Sequence, residues 1–373
     1  MEDKLKNVVF VLPTLSKYKA YLSQDFDSLL DSLSLNESTY DAWIYTTYVY
    51  LKVRGFKVNI SDKLVKNHIN IIHYDHFGFK EVCSDCYVVS VKADRNRTFI
   101  SNYEIIQSPY SSEHDKDIFI HHWPEANIIV RDSSRGSKVE NLVYYGRKYY
   151  LPDYIETKNF KDKLEKLGVN LKISDVRSEW KNYKEADIVL SVRKAPSFYR
   201  KSKPASKLVN AWLAGVPAIV DSDPICNYLK KTDFDYISAN SEKEMLEAIA
   251  LLKEDAVLYE KMVTNSKKRA EEFTIDKIAD MWINALSRDI YDDFLKWKKM
   301  PYWILIFKQS VNISRRFIRG SLYDLRTNKQ TGKPVDKTTF ARKMLWCIFD
   351  KFAWKSYKQT KSYISSQKPE SVR

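Results

Sequence analysis

Two successive series of short apolar strands and amphipathic helices limit the folds open to this chain more than any other feature. The first series begins with the β-branched run NVVFVL at residues 7–12, a helical pattern at 38–55 and a further strand at 56–60. The second begins with NLVYYGRK at residues 141–148. Strands that alternate with helices favour parallel sheets, so the sequence predicts an α/β fold with two facing, Rossmann-like, doubly wound parallel-sheet domains.

The length of the chain agrees with this division, because 373 residues exceed one ordinary core. We predict an N-terminal domain at residues 1–140, a C-terminal domain at 141–290 and a helical tail at 291–373. The acidic start, followed by only a short apolar run, predicts a first strand rather than a signal peptide. Four cysteines in such a length indicate a reducing compartment, so we expect the protein in the cytoplasm.

Nearly all of the net charge of +14 lies in the tail. Residues 291–373 hold 19 Lys and Arg against 6 Asp and Glu, whereas the other 290 residues hold 43 against 42. A neutral body argues against a nucleic-acid groove on the folded domains. Two stretches, at 296–320 and 340–358, mix cations with aromatic and aliphatic residues, a composition typical of helices that lie on membranes. We therefore predict that residues 296–373 bind anionic membrane surfaces, with nucleic acid as the alternative partner of the basic charge and the tail tryptophans. The structural alternative is that these helices pack back across both domains, which we expect up to about residue 300.

A lysine stands near the start of a predicted helix within residues 203–223 (KPASKLVNAWLAGVPAIVDSD), although a helix start favours negative charge. Ser206 is expected to cap this helix, and the apolar run at 216–220 follows as a buried parallel strand. Free N–H groups, the Ser206 hydroxyl and the ammonium groups of Lys203 and Lys207 then converge beside the crevice where open parallel sheets bind ligands. This arrangement predicts a site for a doubly charged anion. The alternative is that both lysines are solvated and merely flank the helix.

Four segments of the second series, taken in order, resemble the donor-binding half of the GT-B glycosyltransferases: VYYGRK, YKEADIVLSV, PASKLVNAWLAGVPAI and KEMLEAIALLKEDAVLYEKMVTNSKKRAEEF. They cover about residues 141–287. The resemblance implies that the anion is the diphosphate of a nucleotide-sugar substrate and that no cofactor is required. It also implies that the phosphate and sugar-phosphate contacts come from four residues, Arg147, Arg193, Ser206 and Lys207.

The chain as a whole, including HHWPEANIIVRD before the second series, is most similar to bacterial enzymes of O-antigen and capsule synthesis. That likeness implies a glycan acceptor, held by the N-terminal domain and linked to a lipid. With such an acceptor, the basic tail predicts that the enzyme works as a peripheral protein on the inner face of the cytoplasmic membrane.

One position departs from the family pattern. Many retaining members carry a glutamate where Asn210 stands, and another eight residues earlier, where this chain has Ser202. Asn210 keeps the capacity to hydrogen-bond a ribose or sugar hydroxyl, but it carries no charge. The departure weakens the case for a retaining mechanism with two glutamates and leaves open a non-catalytic scaffold or lectin with the same fold.

An inverting transfer requires a base that takes the proton of the acceptor hydroxyl. Asp94 follows the strand YVVSVKA and His122 follows DIFI, so both are predicted at the carboxyl end of a sheet and are our candidates. The segment His73-Tyr74-Asp75-His76 and His121 are further candidates. A surface ion pair for Asp94, an exposed turn for residues 73–76 and packed histidines at 121 and 122 are the structural alternatives.

Two motifs that suggest metals have simpler interpretations. Asp221-Ser222-Asp223 matches an Asp-x-Asp metal motif, but the same pattern occurs at residues 25–27 and 233–235, so we predict a turn. The Cys83-x-x-Cys86 pair has no second pair and no suitable histidine, which favours two ordinary thiols. We predict no metal site.

Overall fold

The computed structural model describes the backbone of residues 2–331 and the side chains of residues 4–196, 199–316 and 318. The second amphipathic stretch of the tail, predicted at 340–358, lies outside the described residues. No helix in the described part of the chain is both long and apolar enough to span a bilayer.

The N-terminal sheet has six parallel strands in the order β2-β1-β3-β4-β5-β6. They are β1 (Val8–Val11), β2 (Asn59–Ser61), β3 (Ile69–His73), β4 (Tyr87–Ala93), β5 (Tyr103–Ile106) and β6 (Asp117–Phe119). The helices of this part are α1 (Glu2–Leu5), α2 (Phe26–Asp31) and α3 (Thr46–Val53), and a π-helical turn at Asp41–Tyr45 leads into α3. The connections from β3 to β6 contain loops and short 3-10 turns only.

The C-terminal sheet has five parallel strands in the order β11-β10-β9-β7-β8. They are β7 (Asn141–Tyr145), β8 (Asn170–Ser174), β9 (Ile188–Ser191), β10 (Ala218–Val220) and β11 (Ile237–Ser238). Between and after them lie α4 (Lys158–Lys166), α5 (Ser197–Arg200), α6 (Ser206–Ala214), α7 (Pro224–Leu229), α8 (Glu242–Glu254) and α9 (Ala256–Ala270). Alternate residues of β7 enter two separate cores, Leu142 and Tyr144 on one face and Val143 and Tyr145 on the other.

Both sheets share one topology, because in each the second strand lies outside the first and the third lies on its other side. Each sheet therefore has a point where the strand order reverses, between β1 and β3 and between β7 and β9. In open parallel sheets, the crevice at the carboxyl end of such a point is where ligands bind. The prediction of an α/β fold with two parallel-sheet domains is confirmed.

Three further helices carry the chain back to the N-terminal sheet: α10 (Ile275–Ser287), α11 (Asp289–Lys298) and α12 (Tyr302–Thr331). Trp282 of α10 is fully buried, with its ring centroid 6.3 Å from those of both Phe10 and Trp43. Ile313 of α12 is buried with Val9 and Val11, on the opposite face of β1. Part of the predicted second domain thus packs on the N-terminal core, and the domain limits at residues 140 and 290 stay a prediction.

We expect replacement of Trp282 by Ala to lower the free energy of unfolding by about 3–5 kcal/mol, because it leaves a large cavity between α10 and β1. Leu295→Ala on α11 is the matched control, since this side chain is 40% exposed and its truncation should change stability by less than about 0.5 kcal/mol. Urea denaturation of both variants measures the difference. Equal losses would contradict the packing described here.

Candidate functional site

A cleft of about 620 Å³ opens between the carboxyl ends of the two sheets. The N-terminal side contributes residues that follow β3, β4, β5 and β6, namely Asp75, Asp94, Gln107, His122 and Trp123. The other side contributes residues that follow β7, β8 and β9 together with the start of α6. The structure brings all eight sequence-predicted site residues to this cleft: Asp94, His122, Arg147, Arg193, Lys203, Ser206, Lys207 and Asn210. Their roles stay predictions.

The start of α6 differs from the expectation in one respect. Ala205, not Ser206, occupies the N-cap, and no side chain caps the helix, so the expected capping role of Ser206 is wrong. Ser206 is the first helical residue and its side chain belongs to the cleft lining. The helical hydrogen bonds begin with the Val209 N–H, which donates to the Ala205 carbonyl at 3.0 Å. The preceding N–H groups therefore have no helical acceptor and are available to an anion.

Lys207 carries the least compensated charge of the site. Its Nζ makes neither a hydrogen bond nor an ion pair with any residue of the described part, and it lies over the ring of Tyr144 at 5.0 Å. Burial lowers the pKa of the Lys207 ammonium to about 7, and the nearby positive charge of Arg193 acts in the same direction. The carboxylates of Asp223 and Asp221 oppose this shift. A cation held in this way favours the arrival of an anion.

Gly146, which follows β7, makes room for this lysine. A Cβ at this position would lie 2.9 Å from Lys207 Cε and 3.2 Å from its Nζ. Its φ of +153° also lies in the region that favours glycine. The glycine therefore lets the ammonium lie directly against the end of β7.

The two carboxylates of the Asp-x-Asp segment face arginines. Arg193 Nε lies 3.1 Å from Asp223 Oδ2, and Arg200 Nη1 donates to Asp221 Oδ2 at 2.7 Å. The Arg193 N–H donates to the same Asp221 oxygen at 2.8 Å. Because α7 begins at Pro224, the segment forms the connection from β10 to that helix. The carboxylates thus orient Arg193, whose buried guanidinium lines the cleft.

Lys203 and Asp94 form an ion pair that joins the two sides of the cleft. Asp94 Oδ1 also accepts a hydrogen bond from Arg95 Nη1 at 3.1 Å, so both carboxylate oxygens have cationic partners. Gln107 Nε2 adds a second contact across the cleft, to the Ser202 carbonyl at 3.0 Å. These contacts hold the Asp94 carboxylate in place and connect the segment after β4 with the segment before α6.

His122 has a defined tautomer. Its Nδ1 donates to the Trp123 carbonyl at 2.5 Å, and since a carbonyl can only accept, Nε2 carries the lone pair when the ring is neutral. Burial lowers the pKa of His122 to about 4, so the ring is neutral near pH 7. The ring also makes an edge contact with Trp43 at a centroid distance of 5.1 Å. The histidine is thus neutral, oriented and part of the cleft lining.

The other histidine candidates have structural contacts. His73 is fully buried, and its Nδ1 accepts a hydrogen bond from the Asp75 N–H at 3.2 Å. The Asp75 carboxylate binds Arg95 through both oxygens, at 2.8 and 2.9 Å. His121 packs between Phe119 and Phe273, with centroid distances of 4.6 and 5.0 Å.

Asn210 and Glu125 connect the first turns of α6 with the segment after β6. Asn210 Oδ1 accepts a hydrogen bond from the Glu125 N–H at 3.2 Å. Glu125 Oε1 in turn lies 3.6 Å from Arg177 Nη2, and the Arg177 guanidinium lies 5.6 Å from the centroid of the Trp180 ring. All four residues line the cleft. Arg177 was not among the predicted site residues, although it follows β8 in the same way that Asp94 follows β4 and His122 follows β6.

A group outside the cleft has potential metal ligands. The sulfur atoms of Cys83 and Cys86 and a carboxylate oxygen of Asp85 lie within 4.8 Å of one another. Asp85 is already paired with the Lys66 ammonium at 2.7 Å and accepts a hydrogen bond from the Cys83 thiol at 2.6 Å. These contacts account for the carboxylate without an ion.

No protein-family model and no curated protein matches this chain. Among solved structures, HepE from Anabaena, in complex with UDP and glucose, is 12% identical with a TM-score of 0.42 over 77% of this chain and 95% of its own. TarM is 12% identical with a TM-score of 0.42 over 65% of this chain and 58% of its own. The matched chain of the GtfA/B complex is 12% identical, with a TM-score of 0.41 over 67% of this chain and 60% of its own. The chain therefore spans about three fifths of the matched TarM and GtfA/B chains.

Because Lys207 places a poorly solvated charge beside Arg193, we expect Lys207→Met to raise the free energy of unfolding at pH 6 by about 1–3 kcal/mol. The pKa of Lys207 falls from 10.5 to about 7 on folding, so the unfolded chain binds more protons between these values and wild-type stability rises with pH there. The advantage of the variant should therefore shrink between pH 7 and pH 9.

Thermal or urea unfolding of wild type and variant at pH 6 and at pH 9 measures this effect. Lys148→Met is the control. This lysine follows β7 but is exposed, so its replacement should hardly change the free energy of unfolding. A destabilised Lys207→Met protein at pH 6 would show that the lysine stabilises the fold and would refute our interpretation.

Proposed function

We propose that this chain is a glycosyltransferase that moves a sugar from a nucleotide-sugar donor to a glycan acceptor. The observation that carries the proposal is the unpaired ammonium of Lys207, which lies at the uncapped start of α6 beside the carboxyl end of β7. No structural role requires a partly buried cation without an ion-pair partner at a helix start. A diphosphate between the lysine and the helix N–H groups would compensate both.

Further cations extend the same surface. Arg147 follows Gly146, is exposed and has no side-chain partner in the described part of the chain, and Arg193 is held by Asp223. Together with Lys207 they supply the charge that stabilises a leaving diphosphate as the glycosidic bond breaks. Because the nearby carboxylates already bind arginines, we propose that these cations act without a metal ion.

We propose His122 as the base. Its Nε2 takes the proton of the acceptor hydroxyl, the hydroxyl oxygen bonds to the anomeric carbon of the donor, and the bond from that carbon to the diphosphate breaks. The diphosphate keeps the electron pair, and the cations neutralise it. This direct displacement needs no carboxylate at Asn210. The partners of Asp94 suit it better to holding the two sides of the cleft together.

The acceptor side of the cleft supports a hydroxyl-rich acceptor. Glu37, Ser38, Thr39, Tyr40 and Asp75 line it, and these side chains offer hydrogen-bond acceptors and hydroxyl groups. We propose a lipid-linked glycan of bacterial O-antigen or capsule synthesis as the acceptor, and the inner face of the cytoplasmic membrane as the place of the reaction. The resemblance of the sequence and its basic tail support both assignments.

A non-catalytic lectin or scaffold is the second candidate. The structural role of Asn210, whose side-chain oxygen binds the Glu125 N–H, favours it. Release of a nucleoside diphosphate from any nucleotide sugar, dependent on His122, would exclude this candidate.

Lys207→Ala should weaken nucleoside diphosphate binding by about 1.5–3 kcal/mol, or roughly 10- to 150-fold in Kd, because a charged hydrogen bond is lost. Gly146→Ala should also weaken it, since the added methyl group displaces the ammonium. A thermal-shift screen of UDP, GDP, TDP and CMP selects the ligand, and calorimetry measures its Kd. Lys148→Ala is the control and should bind normally, and unchanged affinity in Lys207→Ala would refute the diphosphate site.

His122→Ala should lower turnover by about 100-fold or more while donor binding stays intact, because the base is lost but the phosphate contacts remain. Since the pKa of His122 is about 4, wild-type turnover should not fall between pH 8 and pH 6 through this group. Diphosphate release from the selected nucleotide sugar is the assay. Full activity in His122→Ala with a 100-fold loss in Asp94→Asn would assign the base to Asp94 instead.

A further inference from the structure

The orientation of α12 on the N-terminal domain is set by its inner face. Ile313 is 5% exposed and packs among the apolar residues beneath the sheet. Arg316 Nη1 donates to the Phe77 carbonyl at 3.2 Å, and its guanidinium lies over the rings of Tyr74 and Phe79 at 5.7 and 5.1 Å. The opposite face of the helix is therefore directed away from the protein.

This outward face carries large apolar side chains. Trp303, Phe307 and Ile318 are 69%, 65% and 51% exposed, and Val311 between them is partly exposed. Their positions at i, i+4, i+8 and i+15 lie on one side of a helix. We refer to these four residues as the outer stripe. Single exposed apolar residues are ordinary, but a row over three successive turns of an anchored helix, with Ile318 two turns further on, marks an interaction surface.

Cations accompany the outer stripe, and acidic residues are absent from its surroundings in the sequence. Lys308 and Arg315 are exposed and lie along one edge of the outer stripe, where a groove between α12 and the N-terminal domain also contains Glu113 and Asp293. From Phe294 to Tyr323 the sequence contains seven Lys and Arg and no Asp or Glu. Four of these seven cations lie in α12 and three lie at the end of α11 or directly after it, whereas residues 1–290 are nearly neutral.

We infer that the outer stripe docks onto the surface of an anionic lipid bilayer. Tryptophan and phenylalanine favour the boundary between headgroups and acyl chains, while lysine and arginine bind anionic headgroups. A second copy of the chain fits less well, because it would bring the same cations against the stripe without acidic partners. The inference does not depend on glycosyl transfer.

The test uses the full chain and vesicles. Wild-type protein should float with vesicles of three parts phosphatidylcholine to one part phosphatidylglycerol, at least 10-fold more than with phosphatidylcholine alone. Binding should fall at least 5-fold in 0.5 M NaCl, because salt screens the headgroup attraction. The double variant Trp303→Ser/Phe307→Ser should lose at least 10-fold of the binding.

The control variant, Phe26→Ser/Val257→Ser, removes two apolar side chains of similar exposure, 51% and 62%, from other surfaces and should bind as wild type does. Melting temperatures of both variants show that they fold. The variant Trp303→Ser/Phe307→Ser should bind nucleoside diphosphate normally. This result separates the membrane inference from the proposed donor site.

Three outcomes would overturn the inference. The stripe variant could float as well as wild type, which would assign any membrane binding to another segment. Both proteins could stay unbound at low salt. Wild type could form a dimer that the stripe variant does not, with no vesicle binding by either, which would make the stripe an interface between copies.

Discussion

The packing of α10 against β1 determines how the rest of the molecule is arranged. Trp282 contacts Phe10 and Trp43, so the chain that leaves the second sheet returns to the core of the first. With this contact in place, the carboxyl ends of two parallel sheets face one cleft. Each sheet reverses its strand order at that edge, which brings side chains from many strand ends into one volume.

The charge of Lys207 in the cleft lowers the stability of the protein, and the fold does not require it. Lys207 is partly buried, has no ion-pair partner among the described side chains and lies against Gly146, which has no side chain and so leaves room for it. Asp221 and Asp223 lessen this cost through their charge, but they contact Arg193 and Arg200 instead. A cation that stays without an ion-pair partner, while the nearby carboxylates bind arginines, lowers stability in a way that is characteristic of binding sites.

The sequence predicted the strands, the helix α6 and the eight cleft residues, because periodicity and strand-end position are local properties. It did not predict the packing of α10 on the N-terminal core, since an amphipathic pattern shows that a helix has an apolar face but not which sheet that face covers. The expected capping role of Ser206 was wrong for a local reason: Ala205 already adopts the cap position. The pairing of Asp94 with Lys203 joins residues 109 positions apart, and no local pattern contains such a contact.

The chain passes between the two sheets twice, once after β6 and again before α10. Two domains joined by a single connecting segment can rotate relative to each other in every direction. Two separate connecting segments leave mainly a hinge rotation about the line through them. The crossing after β6 itself lines the cleft, so a rotation about this line changes how far the cleft opens. The ion pair of Lys203 with Asp94 spans the opening and therefore stabilises the closed arrangement.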